Sequence, residues 1–173
     1  MKQISAYAFI ILTLVFQLAL PCNSLAEKTG EMAPEFSLDD IHGKPHSLSD
    51  YRGSIVILNF WATWCPECVT EMPSLNALYE KYRGMGLVVL GIAADRKKDT
   101  VVDLLKKTPV SYPLLLDTKG GVFIRQYIVI GLPTTVIIDR SGRVAEKIVG
   151  RTDFGSASFG RKLQDLQDKG RTK

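Results

Sequence analysis

Two periodicities of hydrophobic residues alternate along the chain, and they predict strands and helices in turn. Nearly continuous apolar runs rich in β-branched residues cover 54–60 and 87–94, as is typical of strands buried on both faces of a sheet. Between them, apolar residues recur at spacings of three and four from 66 to 83, which predicts a helix that ends at Gly84-Met85-Gly86. The central part of the chain therefore predicts a strand–helix–strand unit.

The chain on both sides of this unit also carries element and turn signals. Asp99 or Thr100 is expected to cap a short helix, and Ser141-Gly142 is expected to form the tight turn of a hairpin. Because that hairpin requires antiparallel pairing at one edge, the chain predicts an α/β fold with a mixed central sheet. The further predicted elements are an alternating strand over 33–38, a helix over 100–107, an extended segment over 112–116, a helical segment over 121–127, strands over 134–139 and 143–149, and a closing helix over 153–168.

The N-terminus has a different pattern from the rest of the chain. Lys2 is followed by an apolar run from 4 to 20, and the small residues Ser24 and Ala26 precede a polar Glu27. A basic start, an apolar run and small residues two apart are typical of a secretory signal peptide. We therefore expect export from the cytoplasm and cleavage after Ala26.

This pattern divides the chain into a signal peptide over 1–26 and one domain over 27–173. The apolar run has the minimum length of a membrane-spanning helix, so an uncleaved membrane anchor is an open alternative. Lipid attachment at Cys22 is disfavoured, because Leu20 and Pro21 precede it instead of a small residue. The protein is expected to be periplasmic or otherwise extracytoplasmic, either free or anchored through its N-terminus.

Composition and charge narrow the function classes. The chain has 173 residues and a net charge of +4, and its longest basic run is the triplet Arg96-Lys97-Lys98. Nucleic-acid binding would need basic residues clustered on one face, often with aromatic residues among them. We therefore expect no nucleic-acid partner.

The cysteines carry the main chemical signal. Removal of the signal peptide would remove Cys22 and leave only Cys65 and Cys68. A disulfide between them closes a very short loop and would stabilise the fold little, so the pair is better explained as reactive. Cys65 lies at the predicted start of a helix, whose free N–H groups stabilise a thiolate, so we predict Cys65 as the nucleophile and Cys68 as the resolving thiol. Pro66 suits the first helical turn, where its missing N–H has no partner.

Two closely spaced cysteines are also found in metal and haem sites. A zinc site would need two further ligands, and neither His42 nor His46 comes with a second cysteine pair. Covalent haem attachment needs a histidine directly after the second cysteine, where Val69 stands. Two thiols also bind Cu(I), so a copper-binding metallochaperone is an open alternative. We expect no cofactor and no bound metal in the leading interpretation.

The residues around the cysteines carry a resemblance to a known family. The run Asn59-Phe60-Trp61-Ala62-Thr63-Trp64-Cys65-Pro66-Glu67-Cys68 resembles the active-site run of the thioredoxin superfamily, and Gly131-Leu132-Pro133-Thr134-Thr135 resembles the loop with that family's cis-proline. Residues 33–48 and 95–117 are similar to an N-terminal extension and an insertion of its TlpA/ResA-like branch. The resemblance implies a thioredoxin-like fold with an N-terminal β-hairpin extension and a central helix-containing insertion.

The resemblance also implies roles for individual residues. Pro133 would be cis and would face the cysteine pair, where Leu132 presents backbone for pairing with a substrate. Asn59 stands where thioredoxins have a buried Asp, which puts the usual proton route in doubt. Glu71, one helical turn after Cys68, matches an active-site Glu of the ResA-like group. We expect its burial to raise its pKa and let it exchange protons near neutral pH, with a solvated surface carboxylate as the alternative.

These expectations combine into a predicted function. The leading hypothesis is an enzyme that reduces disulfides in exported proteins, with apocytochrome c as the substrate suggested by the family and a membrane thiol–disulfide protein as the electron donor. Its predicted catalytic residues are Cys65, Cys68, Glu71 and Pro133. Exchange in the oxidising direction is the second interpretation. A peroxiredoxin-like activity is disfavoured, because that class has Thr at the position of Ala62.

Overall fold

The computed structural model describes residues 29–169. The predicted signal peptide, its cleavage site and Cys22 lie outside the described residues. Between residues 29 and 169, no helix is both long and apolar enough to cross a bilayer.

A five-stranded sheet forms the body of the protein, and helices pack on it as predicted. Two further short strands pair as an antiparallel hairpin at the N-terminal side of the domain. The strands are β1 (Ser37–Asp39), β2 (Pro45–Ser47), β3 (Ile55–Trp61), β4 (Leu87–Ala93), β5 (Leu114–Leu116), β6 (Thr134–Ile138) and β7 (Val144–Val149). The α-helices are α1 (Pro66–Tyr82), α2 (Lys98–Leu105) and α3 (Ala157–Lys169), with a 3-10 turn at Leu48–Tyr51 and a π-helical turn at Gly121–Gln126.

The order of strands in the main sheet is β5-β4-β3-β6-β7. The strands β3, β4 and β5 are parallel, whereas β6 pairs antiparallel with both β3 and β7. The predicted mixed sheet and its terminal hairpin are therefore confirmed. The central strand β3 is buried along its whole length, in agreement with its continuous apolar run.

A hydrophobic core lies on each face of this sheet. One core joins α1, α2 and α3 to the sheet, and the other joins the N-terminal segment and the π-helical turn to the opposite face. Successive residues of β3 supply them alternately, because side chains along a strand point to opposite faces. Ile55, Ile57 and Trp61 enter the first core, and Val56, Leu58 and Phe60 enter the second.

A buried polar cluster fixes the N-terminal hairpin. The Asp40 carboxylate lies 3.1 Å from His46 Nε2, and the other ring nitrogen of His46 contacts the hydroxyl of Tyr51. Asp40 also accepts the backbone N–H groups of His42 and Lys44 at 2.7 and 2.9 Å. Burial alone would raise the pKa of Asp40, but these hydrogen bonds and the charge of His46 hold it below its usual value.

Some predicted boundaries were wrong for identifiable reasons. Helix α2 begins at Lys98 after the N-cap residue Lys97, and neither Asp99 nor Thr100 caps it. The Thr100 hydroxyl instead donates to the Lys97 carbonyl within the first turn.

At the start of the π-helical turn, the Asp117 carboxylate accepts three successive N–H groups, from residues 121–123.

Candidate active site

The two cysteines lie at the junction between β3 and α1 and are joined by a disulfide. Cys65 is the N-cap residue of α1, and Pro66 occupies the first helical turn, as predicted. The Cys68 N–H, in the first turn of the helix, donates to Cys65 Sγ at 3.2 Å. A backbone donor therefore points at the sulfur of the predicted nucleophile. Cys65 is 6% exposed and Cys68 is fully buried, which fits attack by the first cysteine.

The tryptophans on either side of this turn have opposite environments. Trp61 closes β3 and is fully buried in the core, whereas Trp64 is 69% exposed. Trp64 lines a cleft of about 460 Å³ together with Cys65, and Phe123, Ile130 and Leu132 form other parts of its wall. The cleft is predominantly apolar, so it suits an apolar stretch of chain next to the disulfide.

The predicted proline lies in the loop that borders this cleft. The Leu132–Pro133 peptide bond is cis, as the resemblance implied. The Pro133 carbonyl accepts the Gly150 N–H at 2.8 Å, and the Thr134 hydroxyl donates to the Gly131 carbonyl at 2.7 Å. These bonds hold the loop so that Leu132 and Cys65 line the same cleft.

Glu71 lies within the protein and not on a solvated helix face. It is 1% exposed, and both of its carboxylate oxygens accept hydrogen bonds. The side-chain amide of Asn59 donates to Oε1 at 2.8 Å, and the backbone N–H of Thr152 donates to Oε2 at 2.9 Å. Burial raises the pKa of Glu71 above its ordinary value, although these two hydrogen bonds and the charge of Arg151 act in the opposite direction.

Asn59 is therefore the residue that connects the central strand to Glu71. It is 1% exposed and also donates to the Thr135 hydroxyl at 3.3 Å on the neighbouring strand β6. Its amide cannot act as a base, as expected from the sequence. The structure shows that it instead supplies a neutral hydrogen-bond donor to a buried carboxylate.

The other glutamate of the site lies at the surface. The side chain of Glu67, between the two cysteines, is 64% exposed and lies 3.9 Å from Arg151 Nη1. An ion pair this exposed contributes little to stability. Its charge lies beside the disulfide, where it opposes the formation of a thiolate.

Sequence reasoning missed two residues near Glu71, Thr152 and Tyr112. Thr152 follows β7 and supplies the N–H to Glu71, and its own hydroxyl is buried without a hydrogen-bond partner among the described residues. Tyr112 is 3% exposed, and its hydroxyl likewise has no partner within that part of the chain. Burial, with a smaller contribution from the charge of Glu71, raises the pKa of Tyr112. No local motif marks these residues, because they lie far from Glu71 along the chain and come close to it only in the fold.

Comparison with known proteins identifies the family. Residues 29–147 match the AhpC/TSA family. The thiol-disulfide oxidoreductase ResA of Bacillus thuringiensis subsp. konkukian is 41% identical over 121 residues, which are 70% of this chain and 69% of that protein. ResA of Bacillus subtilis is 36% identical over the same share of this chain and 67% of that protein.

This chain belongs to the ResA-like thiol-disulfide oxidoreductases. It is accordingly an oxidoreductase with a redox-active cysteine pair, and Cys65 and Cys68 are the cysteines of its described residues. The catalytic roles of Glu71 and Pro133 stay predictions. The geometry places Glu71 one turn beyond Cys68 and the Pro133 loop along the same cleft as Cys65.

Solved structures share the fold of this ResA-like chain. A thiol:disulfide interchange protein of the thioredoxin family from Chlorobium tepidum TLS has a TM-score of 0.71 and 32% identity, covering 82% of this chain and 99% of that one. StoA from Bacillus subtilis has a TM-score of 0.63 and 23% identity, covering 77% and 96% of the two chains, and it shows the fold alone. The predicted thioredoxin-like fold is confirmed.

Proposed function

We propose that this ResA-like protein reduces disulfides in exported proteins outside the cytoplasm. The observation that carries the reducing direction is the pair of carboxylates beside the redox centre. Glu71 is buried one turn from Cys68, and Glu67 stands between the cysteines. Negative charge near a thiolate destabilises the reduced form, and a less stable reduced form gives a stronger reductant.

The cycle transfers two electrons to the substrate. The Cys65 thiolate attacks a substrate disulfide, forms a mixed disulfide with one substrate sulfur and releases the other as a thiolate, which takes up a proton. Glu71 accepts the proton of the Cys68 thiol. Burial raises the pKa of Glu71 and so brings it closer to the pKa of a thiol, which favours proton transfer between the two groups. The Cys68 thiolate then attacks Cys65 Sγ, releases the reduced substrate and leaves the disulfide present in this structure.

The reduction potential of the pair tests this direction. Equilibration with dithiothreitol buffers, read by mass spectrometry of the trapped thiols, should give a value close to that of thioredoxin, about −270 mV. A value near that of the strongly oxidising periplasmic proteins, about −120 mV, would assign the oxidising direction instead. Tight Cu(I) binding without exchange of disulfides would assign a metallochaperone.

The substrate and the location are parts of the same proposal. We take apocytochrome c as the substrate and a membrane thiol–disulfide protein as the donor that restores the dithiol. Support comes from the export pattern of residues 1–26 and from the apolar cleft along Cys65, where an extended cysteine-bearing peptide would bind. Residues 1–26 should direct a reporter that is active only outside the cytoplasm, and the N-terminal mass of the purified protein should distinguish a cleaved signal from an anchor.

A further inference from the structure

A buried carboxylate outside the predicted catalytic set lies at the end of β4. Asp95 is 6% exposed and directly follows Ala94, where the chain leaves the sheet. Both of its oxygens contact the same residue. Asp95 Oδ2 accepts the backbone N–H of Thr63 at 3.0 Å, and Oδ1 accepts its hydroxyl at 2.5 Å. Between residues 29 and 169, Thr63 is the only hydrogen-bond partner of this carboxylate.

Thr63 belongs to the turn that carries the reacting cysteine. This turn closes with a hydrogen bond of 3.1 Å from the Cys65 N–H to the Ala62 carbonyl. The paired residues of β3 and β4 end at Trp61 and Ala93. Beyond them, the Ala94 N–H still donates to the Trp61 carbonyl at 2.9 Å. Past the end of the β3–β4 pairing, the Asp95 carboxylate joins the segment after β4 to the segment after β3.

We infer that Asp95 is a positioning residue for thiol–disulfide exchange, because its carboxylate holds the turn of residues 62–65 in place through Thr63. Hydrogen bonds to an ionised acceptor are about twice as strong as neutral ones. Movement of the turn would leave a buried carboxylate without partners, which costs far more than the loss of an exposed contact. The turn therefore has one favoured position.

A fixed turn matters because disulfide exchange depends on the direction of approach. The attacking sulfur and the two sulfurs of the target must align, and a misplaced reacting atom slows such steps strongly. Among the described residues, the Asp95 carboxylate forms its hydrogen bonds with Thr63 and not with either cysteine, so its contribution acts through Thr63 on the position of Cys65. A positioned Cys65 speeds exchange in either direction of electron flow.

Paired substitutions separate the hydrogen bonds of Asp95 from its charge. Asp95→Ala and Asp95→Asn remove the same charge, but the Asn amide still accepts the Thr63 N–H and donates to its hydroxyl oxygen. Thr63→Val removes only the hydroxyl donor, and Thr63→Ser restores it. Asp99→Ala, at an exposed acid on α2, is the matched control for charge. For each full-length reduced protein, the rate of reaction with oxidised glutathione is measured beside its melting temperature.

The expected rates form a definite order. Asp95→Ala should react about tenfold more slowly than wild type, and Asp95→Asn should stay within about twofold of it. Thr63→Val should be about threefold slower, and both Thr63→Ser and Asp99→Ala should match wild type. A purely structural role would lower the melting temperature of Asp95→Ala and leave the rate of the folded protein unchanged.

Three results would overturn the inference. The first is a folded Asp95→Ala protein that reacts at the wild-type rate. The second is an Asp95→Asn protein as slow as Asp95→Ala, which would assign the effect to charge. If Asp95→Ala does not fold, the Thr63 variants decide, because equal rates for Thr63→Val and wild type would show that the hydroxyl contact has no part in positioning.

Discussion

The side-chain amide of Asn59 donates a hydrogen bond of 2.8 Å to the carboxylate of Glu71, and both residues are 1% exposed. The bond joins the central strand β3 to the helix that begins at Cys65. A neutral donor at this position satisfies a buried carboxylate without fixing its charge. Glu71 can therefore be ionised or protonated while the fold stays the same.

An Asn59→Asp substitution would place a second carboxyl against Glu71. Each carboxyl then disfavours ionisation of the other, so we expect a loss of about 3 kcal/mol in the free energy of unfolding at neutral pH. The loss should shrink at acidic pH, where the pair holds a proton. Urea unfolding at several pH values measures it. The control is Asn76→Asp at a partly exposed site on α1, which should change stability by less than about 0.5 kcal/mol.

The raised pKa of Glu71 predicts a pH dependence of stability. Because folding raises this pKa above its ordinary value of 4.5, Glu71 contributes stability that is complete below pH 4.5. The contribution is lost as the pH rises through the pKa of the folded state. The Glu71→Gln variant should therefore gain stability relative to wild type as the pH rises above 4.5, measured as the difference in their free energies of unfolding. A difference that is constant with pH would contradict the raised pKa.

The same variant should also change the reactivity of the cysteines. Once Glu71 is ionised, its charge opposes thiolate formation nearby, so Glu71→Gln should move the pH profile of Cys65 alkylation to lower pH. Glu80→Gln, at an exposed position near the far end of α1, is the matched control and should leave the profile in place. An identical profile in both variants would remove Glu71 from the proton route.

The assignment of the two cysteines predicts opposite outcomes for their serine variants. Cys68→Ser keeps the nucleophile but cannot resolve the mixed disulfide, so it should accumulate a covalent complex with substrate. Cys65→Ser should form none and should lose exchange activity. Non-reducing electrophoresis and mass spectrometry of the complexes check both results and would identify the trapped substrate. Complexes formed mainly by Cys65→Ser would reverse the assignment.

Two glycines differ sharply in the space around them. A Cβ at Gly91 would lie 2.5 Å from Leu114 Cδ2 and 3.0 Å from Tyr112 Cε2, so Gly91→Ala should destabilise the protein by about 1–3 kcal/mol. Gly160 lies inside α3, and a Cβ there would meet nothing within 4 Å. Gly160→Ala should therefore stabilise the protein by up to about 1 kcal/mol. Thermal unfolding of both variants tests this pair.

The sequence predicted the features that depend on local patterns. The continuous apolar run of β3, the spacing of apolar residues along α1 and the Ser141-Gly142 turn each reflect nearby residues, and the structure confirms the elements they predicted. The start of α2 was predicted two residues late, because Asp99 and Thr100 are residue types that favour the N-cap position, whereas the N-cap is Lys97 and the Thr100 hydroxyl bonds within the first turn.

The environment of the site depends on contacts that no local pattern contains. Thr152 bonds to Glu71 across 81 positions of the chain, and Asp95 bonds to Thr63 across 32. The first contact joins the segment after β7 to helix α1, and the second joins the segments that follow β4 and β3, so both depend on how the elements pack together. The resemblance to the ResA-like group singled out Glu71, one helical turn after Cys68. Its hydrogen-bond partners Asn59 and Thr152 could be seen only in the folded structure.

The contrast between the two tryptophans gives the protein an internal optical reporter. The chain has two tryptophans, and only Trp64 is exposed, immediately before Cys65. A water-soluble quencher such as iodide reaches Trp64 and not Trp61, so the quenchable part of the fluorescence comes from the redox turn. Docking of a peptide in the cleft, or movement of the turn on reduction, can therefore be followed in real time without a label.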